Sequence, residues 1–278
     1  MTAAVPPVLP APSVPPTPLT WLYVPGDRPG MMAKAVAGGA DVVIVDLEDA
    51  VAPDRRAYAR DATADFLSSP HGKPVHVRIA DRADLPYVTG LPGLCALRLP
   101  KIGHASAVHA VAERAPGTDL YALLESALAV EHAYAIASAH PSVRGIALGE
   151  ADLRADLGVR EDAGLDWSRG RAVVAARAAG LAPPAQSVFP DVRDLAGLAA
   201  SCRHGRALGM LGRAAIHPAQ LPVIEEAYRP TLQEVASAQE IIEAAARDAG
   251  AQALVDGRFV DAAIVAAARR TLTLAHRP

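Results

Sequence analysis

Two stretches decide the fold: Leu120-Tyr121-Ala122-Leu123-Leu124-Glu125 and Gly145-Ile146-Ala147-Leu148-Gly149-Glu150-Ala151-Asp152. Each opens as a short apolar run of strand character and closes on an acid. Glu125 and Asp152 lie 27 residues apart, the length that one strand, one helix and two turns require. Similar apolar runs occur at residues 21–24, 42–46, 75–79, 96–99, 187–189 and, less clearly, 210–216. Residues 53–67, 104–114, 127–139, 169–179 and 193–204 between them have helical character. Pro53 suits a first helical turn, and Gly180 and Gly205 stand where a C′ glycine would end two helices.

Eight strand candidates, most trailed by a helix, predict parallel βα units. A (β/α)8 TIM barrel typically needs roughly 250 residues, which this chain supplies. An open doubly wound sheet is the rival, and it usually carries a glycine-rich phosphate turn after its first strand. Here Tyr23-Val24-Pro25-Gly26-Asp27-Arg28-Pro29-Gly30 has glycines, but prolines break the GxGxxG pattern. The barrel is the better reading.

The chain divides into three parts. Residues 1–19 hold seven prolines and no Lys or Arg, which forbids a secretory signal helix and predicts a disordered or polyproline-like tail. Residues 20–228 are the expected catalytic barrel. Residues 229–278 form a helical extension, expected to cover the barrel rim or reach a neighbouring subunit. Its predicted parts are a helix over 231–248, strands at 253–255 and 259–260 around an Asp256-Gly257 turn, and a helix from Asp261 to about 274.

Composition narrows the function classes. Of 278 residues, 51% are hydrophobic, and 27 basic against 30 acidic side chains give a net charge of −3. No basic stripe accumulates, so nucleic acid is not the expected partner. Cys95 and Cys202 form no CxxC pair, which suits a reducing cytoplasm and argues against a disulfide framework. No apolar run is long enough to span a membrane.

Residues at strand ends carry the chemistry. If the fifth and sixth strands are neighbours, Glu125 and Asp152 point into one pocket. Two carboxylates without a histidine or thiolate beside them suit a hard ion that keeps its waters, and Mg²⁺ is the natural choice. The alternative is a pair of solvated loop acids. Arg78, inside Val75-His76-Val77-Arg78-Ile79, is expensive to bury unless anions meet it. It either holds a substrate carboxylate or enolate oxygen, or pairs with Asp46, Glu48 or Asp49. The acidic turn Asp46-Leu47-Glu48-Asp49 needs an offsetting cation, so Glu48 is a candidate member of the site. Lys34 and Lys101 are candidate phosphate contacts or surface lysines. His217, before Pro218, reads as a helix cap, and no HExxH or GxSxG motif occurs.

Several blocks resemble the citrate lyase β-subunit-like proteins of the HpcH/HpaI aldolase group. They are Tyr23-Val24-Pro25-Gly26, Asp46-Leu47-Glu48-Asp49-Ala50-Val51, Leu99-Pro100-Lys101, Leu124-Glu125-Ser126, Gly149-Glu150-Ala151-Asp152-Leu153, Ile216-His217-Pro218-Ala219-Gln220 and Asp256-Gly257-Arg258-Phe259-Val260-Asp261. They run in one order from about residue 20 to 275. The resemblance implies a TIM barrel, Mg²⁺ on Glu125 and Asp152, and a substrate-binding arginine at Arg78. It also implies trimers or hexamers, in which Asp261 from a neighbouring subunit acts as acid or base at an acetyl methyl group. The departures are Leu19-Thr20 for a common Arg-Ser, Gly30 for an arginine, Arg213 for a lysine, and Ala185-Gln186-Ser187 for a stretch that often includes aspartate.

The expected activity is therefore a Mg²⁺-dependent carbon–carbon lyase or synthase on short hydroxyacyl-CoA thioesters of the citryl-, malyl- or citramalyl-CoA type. Its catalytic residues are Arg78, Asp261 and Glu48; Arg78, Glu125 and Lys34 bind substrate. Two alternatives stay open: a metal-dependent aldolase using pyruvate, and a non-catalytic citrate lyase-like subunit.

Overall fold

The computed structural model describes residues 17–247, 252–253 and 259–277. It forms two compact units, one spanning Pro18–Tyr228 and one combining Thr17 with the residues from Arg229 onward. The elements of the large unit follow in chain order: β1 Thr20–Pro25, α1 Pro29–Ala37, β2 Val42–Asp46, α2 Arg56–Leu67, β3 Val75–Arg78, α3 Leu85–Val88, β4 Ala96–Leu99 and α4 Ala105–Ala112. Then come β5 Asp119–Leu124, α5 Ala127–Glu131, α6 Ala133–Ala137, β6 Val143–Leu148, α7 Glu150–Leu157, α8 Asp166–Ala178, α9 Leu195–Ala207, β7 Arg213–Ala215 and α10 Leu221–Tyr228.

The strands form one curled, all-parallel sheet in the order β6-β5-β4-β3-β2-β1-β7. Their runs of Val, Ile, Leu and Ala are almost wholly buried, as strands covered on both faces must be. Inside the curl, Trp21, Val42, Ile44, Ala185 and Ala214 pack together, with Tyr23 and Val188 against them.

The expected strand at 187–189 is not one: the segment makes a single isolated parallel bridge, Gln186 to Arg213. Pro183 and Pro184 supply no N–H, and Pro190 stops the run, so a ladder cannot extend. Even so, the segment links the two edge strands. Gln186 N–H donates to the Gly212 carbonyl at 2.9 Å and Ala214 N–H to the Gln186 carbonyl at 3.0 Å. On the other side, Ser187 Oγ donates to the Leu148 carbonyl and accepts from Glu150 N–H at 3.2 Å. The described residues of the large unit thus give seven paired strands, with this bridge between β6 and β7.

Three local expectations change. The predicted helix over 127–139 breaks at His132 into α5 and α6. Gly205 lies inside α9, where the Gln186 side chain occupies the space of a Cβ; Gly209, at φ +90°, is the positive-φ glycine that follows the helix. Leu19, read as tail, is fully buried, and its carbonyl accepts the Arg213 N–H at 2.8 Å. Gly180 does take a positive φ, and the proline of the 3₁₀ turn Pro53–Arg55 leads directly into α2. His217 caps the turn Pro218–Gln220, with Nδ1 accepting the Ala219 N–H.

In the small unit, α11 (Leu232–Arg247) packs along α12 (Ala262–Ala275), and a short antiparallel pair, β8 (Gln252–Ala253) and β9 (Phe259–Val260), lies between them in sequence. Arg277 Nη1 donates to the Thr17 carbonyl at 2.6 Å. The tail up to residue 16 and the Asp256-Gly257 turn lie outside the described residues. Among the described residues, no helix is long and apolar enough to cross a membrane.

Candidate active site

The acidic turn after β2 is shaped by its first member. Asp46 is buried, and its carboxylate accepts the N–H of Glu48 and of Ala50, each at 3.0 Å. The same carboxylate takes two parallel hydrogen bonds from Arg78, Nε to Oδ1 and Nη2 to Oδ2, both 2.7 Å. This fork is the strongest geometry open to an arginine and a carboxylate. Arg78 Nη1 stands 3.1 Å from Glu48 Oε2 and 3.1 Å from Asp49 Oδ2, and its guanidinium carbon lies 5.1 Å from the centre of the Tyr23 ring. Burial works against the Arg78 charge, but its hydrogen bonds to Asp46 and the charges of Asp46 and Glu48 hold its pKa above the ordinary value. Arg78 therefore makes the ion pairs that the acidic turn required.

Lys101 joins the turn to Glu125. It follows β4 at φ +56°, the left-handed region that residues other than glycine rarely adopt. This conformation sends its N–H to Glu125 Oε2 at 2.8 Å, and its Nζ lies 2.8 Å from Glu48 Oε1. Glu48 is buried between Lys101 and Arg78, and burial raises its pKa despite the Lys101 hydrogen bond.

Glu125, at the end of β5, is 8% exposed. Burial pushes its pKa up to about 7; the Lys101 N–H opposes this, while the charges of Glu48 and Asp152 add to it. Its carboxyl lies against Gly149, the residue preceding α7, where a Cβ would stand 2.5 Å from Oε1. Asp152 is exposed in the first turn of α7. β5 and β6 are adjacent in the sheet, so Glu125 and the helix that bears Asp152 follow neighbouring strands.

A carboxyl whose pKa is raised by burial, with neighbouring acids adding to the effect, is poised to release its proton to a cation. Among the described residues, no three His, Cys, Asp or Glu side chains form a ready metal cage. An open pair of carboxylates fits a cation that keeps waters and takes other ligands from its substrate.

The structure thus pairs Arg78 with Glu48 directly and joins Glu48 to Glu125 through Lys101, with Asp152 close enough to act on Glu125 electrostatically. Lys34 lies exposed in the last turn of α1 and takes part in none of these contacts. Asp261, in the small unit, caps α12 through Oδ1, which accepts the Ile264 N–H at 2.9 Å. Two roles were not legible from sequence: the positive φ of Lys101, for which Leu99-Pro100-Lys101 was the only signal, and the close packing at Gly149.

Charged groups gathered at the C-terminal ends of parallel strands mark an α/β enzyme that binds and reacts there. The chain belongs to the HpcH/HpaI aldolase/citrate lyase family, whose sequence pattern matches residues 19–218. It is 35% identical over 267 residues to a (3S)-malyl-CoA thioesterase of Cereibacter sphaeroides, covering 91% of this chain and 93% of that protein. It is 34% identical over 289 residues to an L-malyl-CoA/beta-methylmalyl-CoA lyase of the same species, covering 88% and 90%. Among solved structures, CitE of Mycobacterium tuberculosis in complex with magnesium, acetoacetate and coenzyme A matches at a TM-score of 0.79 and 35% identity, covering 95% of this chain and 98% of that one.

Proposed function

We propose that the protein is a Mg²⁺-dependent lyase or synthase acting on a short 3-hydroxyacyl-CoA thioester of the malyl-CoA type. The observation that carries this reading is the Glu125 carboxyl, buried at a strand end, pushed up to about 7 by burial and neighbouring acids, and packed against the start of the helix that bears Asp152. Glu125 and Asp152 are the residues that would hold the cation. When bound there, Mg²⁺ supplies Lewis acidity toward the carboxylate and hydroxyl, or keto, oxygens of the acid portion.

The chain's own residues do the rest. In the cleavage direction the hydroxyl gives up its proton to water, the bond between the hydroxyl-bearing carbon and the carbon next to the thioester breaks, and an aldehyde or ketone leaves. The electron pair passes to the thioester carbonyl as an acetyl-CoA enolate. Arg78, held by Asp46, would receive that oxygen's charge. Glu48 and Lys101 hold the acidic turn and Glu125 in register. Asp261 of a neighbouring copy would deliver the proton to the methylene carbon that becomes the acetyl methyl group. Lys34 is the candidate contact for a CoA phosphate. This arrangement requires a homo-oligomer, a trimer or hexamer, and a completed eight-membered barrel closed by the segment around Ser187.

The similarity to (3S)-malyl-CoA thioesterase supports a second reading, hydrolysis of the thioester in the same pocket. Products separate the two. Purified protein with malyl-, citramalyl- and citryl-CoA, with and without Mg²⁺, should yield acetyl-CoA and a keto acid or aldehyde for a lyase. Free CoA and the intact hydroxy acid indicate a thioesterase. No turnover of any of these with Mg²⁺ overturns both readings.

A further inference from the structure

One cation in the interior of the sheet has no place in the chemistry above. Arg98, in β4, is only 3% exposed and makes no ion pair with a carboxylate among the described residues. Its guanidinium instead lies 5.2 Å from the centre of the Tyr121 ring and 5.9 Å from that of Trp21. Its Nε has no hydrogen-bond partner. Tyr23 lies close enough to act on the guanidinium electrostatically. Burying an unpaired charge in this way is strongly unfavourable, and aromatic faces return only part of the loss.

The sheet register shows what the charge faces. Asp46, Arg78, Arg98 and Tyr121 form one row across β2, β3, β4 and β5, each directly opposite the next. Two arginines side by side in such a row repel one another. Only Arg78 is paired, and its partners Asp46, Glu48 and Asp49 all belong to β2 and the turn after it. Tyr23 stands near both arginines: its ring lies under Arg78, and it acts electrostatically on Arg98.

We propose that Arg98 is a positioning residue: its unpaired charge, acting directly across the sheet row and through Tyr23, presses the Arg78 guanidinium onto the acidic turn and fixes it where the thioester oxygen's charge develops. The kinetic part of this inference rests on the proposed lyase or thioesterase reading; the placement of Arg78 does not. A charged side chain buried at a cost beside a reactive site is the expected signature of function overriding stability.

Arg98→Met keeps the length and apolar contacts of the stem while removing the charge. It should raise the melting temperature by several degrees, because the unpaired charge is gone. It should lower kcat about tenfold with little change in KM, whereas general damage to the fold would lower stability and activity together. Arg98→Lys should recover most of the lost kcat. Tyr23→Phe, which keeps the ring and so tests the same link should Arg98→Met not fold, should lower kcat in the same direction. The double variant should be no worse than the poorer single one. Arginine Nε–H resonances give a readout free of any substrate: the Arg78 signal, held by Asp46, should shift and lose exchange protection in Arg98→Met and in Tyr23→Phe. Unchanged Arg78 signals in both variants overturn the proposal, as does wild-type kcat in Arg98→Met. A wild-type protein inactive on every thioester, with Arg78 signals that do respond, overturns the proposed function and leaves Arg98's action on Arg78 standing.

Discussion

The carboxyl group of Glu125 occupies the space in which a side chain at Gly149 would begin, 2.5 Å from Oε1 to the position of a Cβ. The contact ties the end of β5 to the start of α7, and through that helix to Asp152. Gly149→Ala must displace either the carboxyl or the helix, and Glu125 is also held by the Lys101 N–H. Overpacking of this kind costs about 1–3 kcal/mol. The variant should keep its far-UV circular dichroism yet bind Mg²⁺ at least about tenfold more weakly, measured by calorimetry. Wild-type affinity would show that the two acids do not share a cation.

Glu125 also makes the metal-free fold sensitive to pH. Its folded-state pKa of about 7 lies above the ordinary 4.5, so ionisation weakens the fold. The stabilisation is fully present below pH 4.5 and lost as the pH rises through about 7, a loss on the order of 3 kcal/mol. Denaturant melts in EDTA should therefore show Glu125→Gln overtaking the wild type between pH 5 and pH 8. Saturating Mg²⁺ should stabilise the wild type at pH 8 and leave Glu125→Gln nearly unmoved. Parallel pH profiles for the two proteins would remove Glu125 as the group responsible.

Asp261 has one role in the structure and a second proposed for it, and two substitutions part them. As the cap of α12 it accepts the Ile264 N–H at 2.9 Å, a contact that asparagine reproduces and alanine does not. Asp261→Ala should destabilise the small unit by about 1 kcal/mol; Asp261→Asn should leave its melting curve in place. Both should lose proton exchange at the acetyl methyl group, followed by deuterium uptake into acetyl-CoA. Exchange at the wild-type rate in Asp261→Asn would confine this residue to capping.

The strands were legible because their apolar runs are continuous and end in charged residues, so β2 and β4 fall on the residues expected of them. The same logic failed at 187–189, where Val188 and Phe189 look like a strand but the flanking prolines remove the N–H groups that a ladder needs. In the candidate site the residue types were readable and their partners were not. Arg78 had three acids within plausible reach, and sequence spacing does not say that Asp46 takes the fork while Glu48 shares Nη1. Lys101 was ambiguous for a deeper reason: its role depends on a positive φ, and only glycine advertises that conformation in sequence. Arg98 gave no signal at all, because a basic residue between two leucines reads equally well as exposed.

Ser187 offers the last test, since it bonds the 184–187 segment to both the end of β6 and the start of α7. Arg213 anchors the other side of that segment, with Nε donating to the Ser187 carbonyl at 2.9 Å and Nη1 to Ser201 Oγ at 3.0 Å. Removing the Ser187 hydroxyl strips the Glu150 N–H of its acceptor and the Leu148 carbonyl of its donor without touching Arg213. Ser187→Ala should cost about 1–3 kcal/mol in global stability. Because the lost bond fixes the first turn of α7, where Asp152 resides, the Mg²⁺ concentration for half-maximal activity should rise as well. Arg213→Met should instead unfold the protein at far lower denaturant, since it leaves buried carbonyl and hydroxyl groups unpaired. Ser187→Ala with unchanged stability and unchanged Mg²⁺ dependence would mean that the segment contributes neither to closing the sheet nor to holding Asp152.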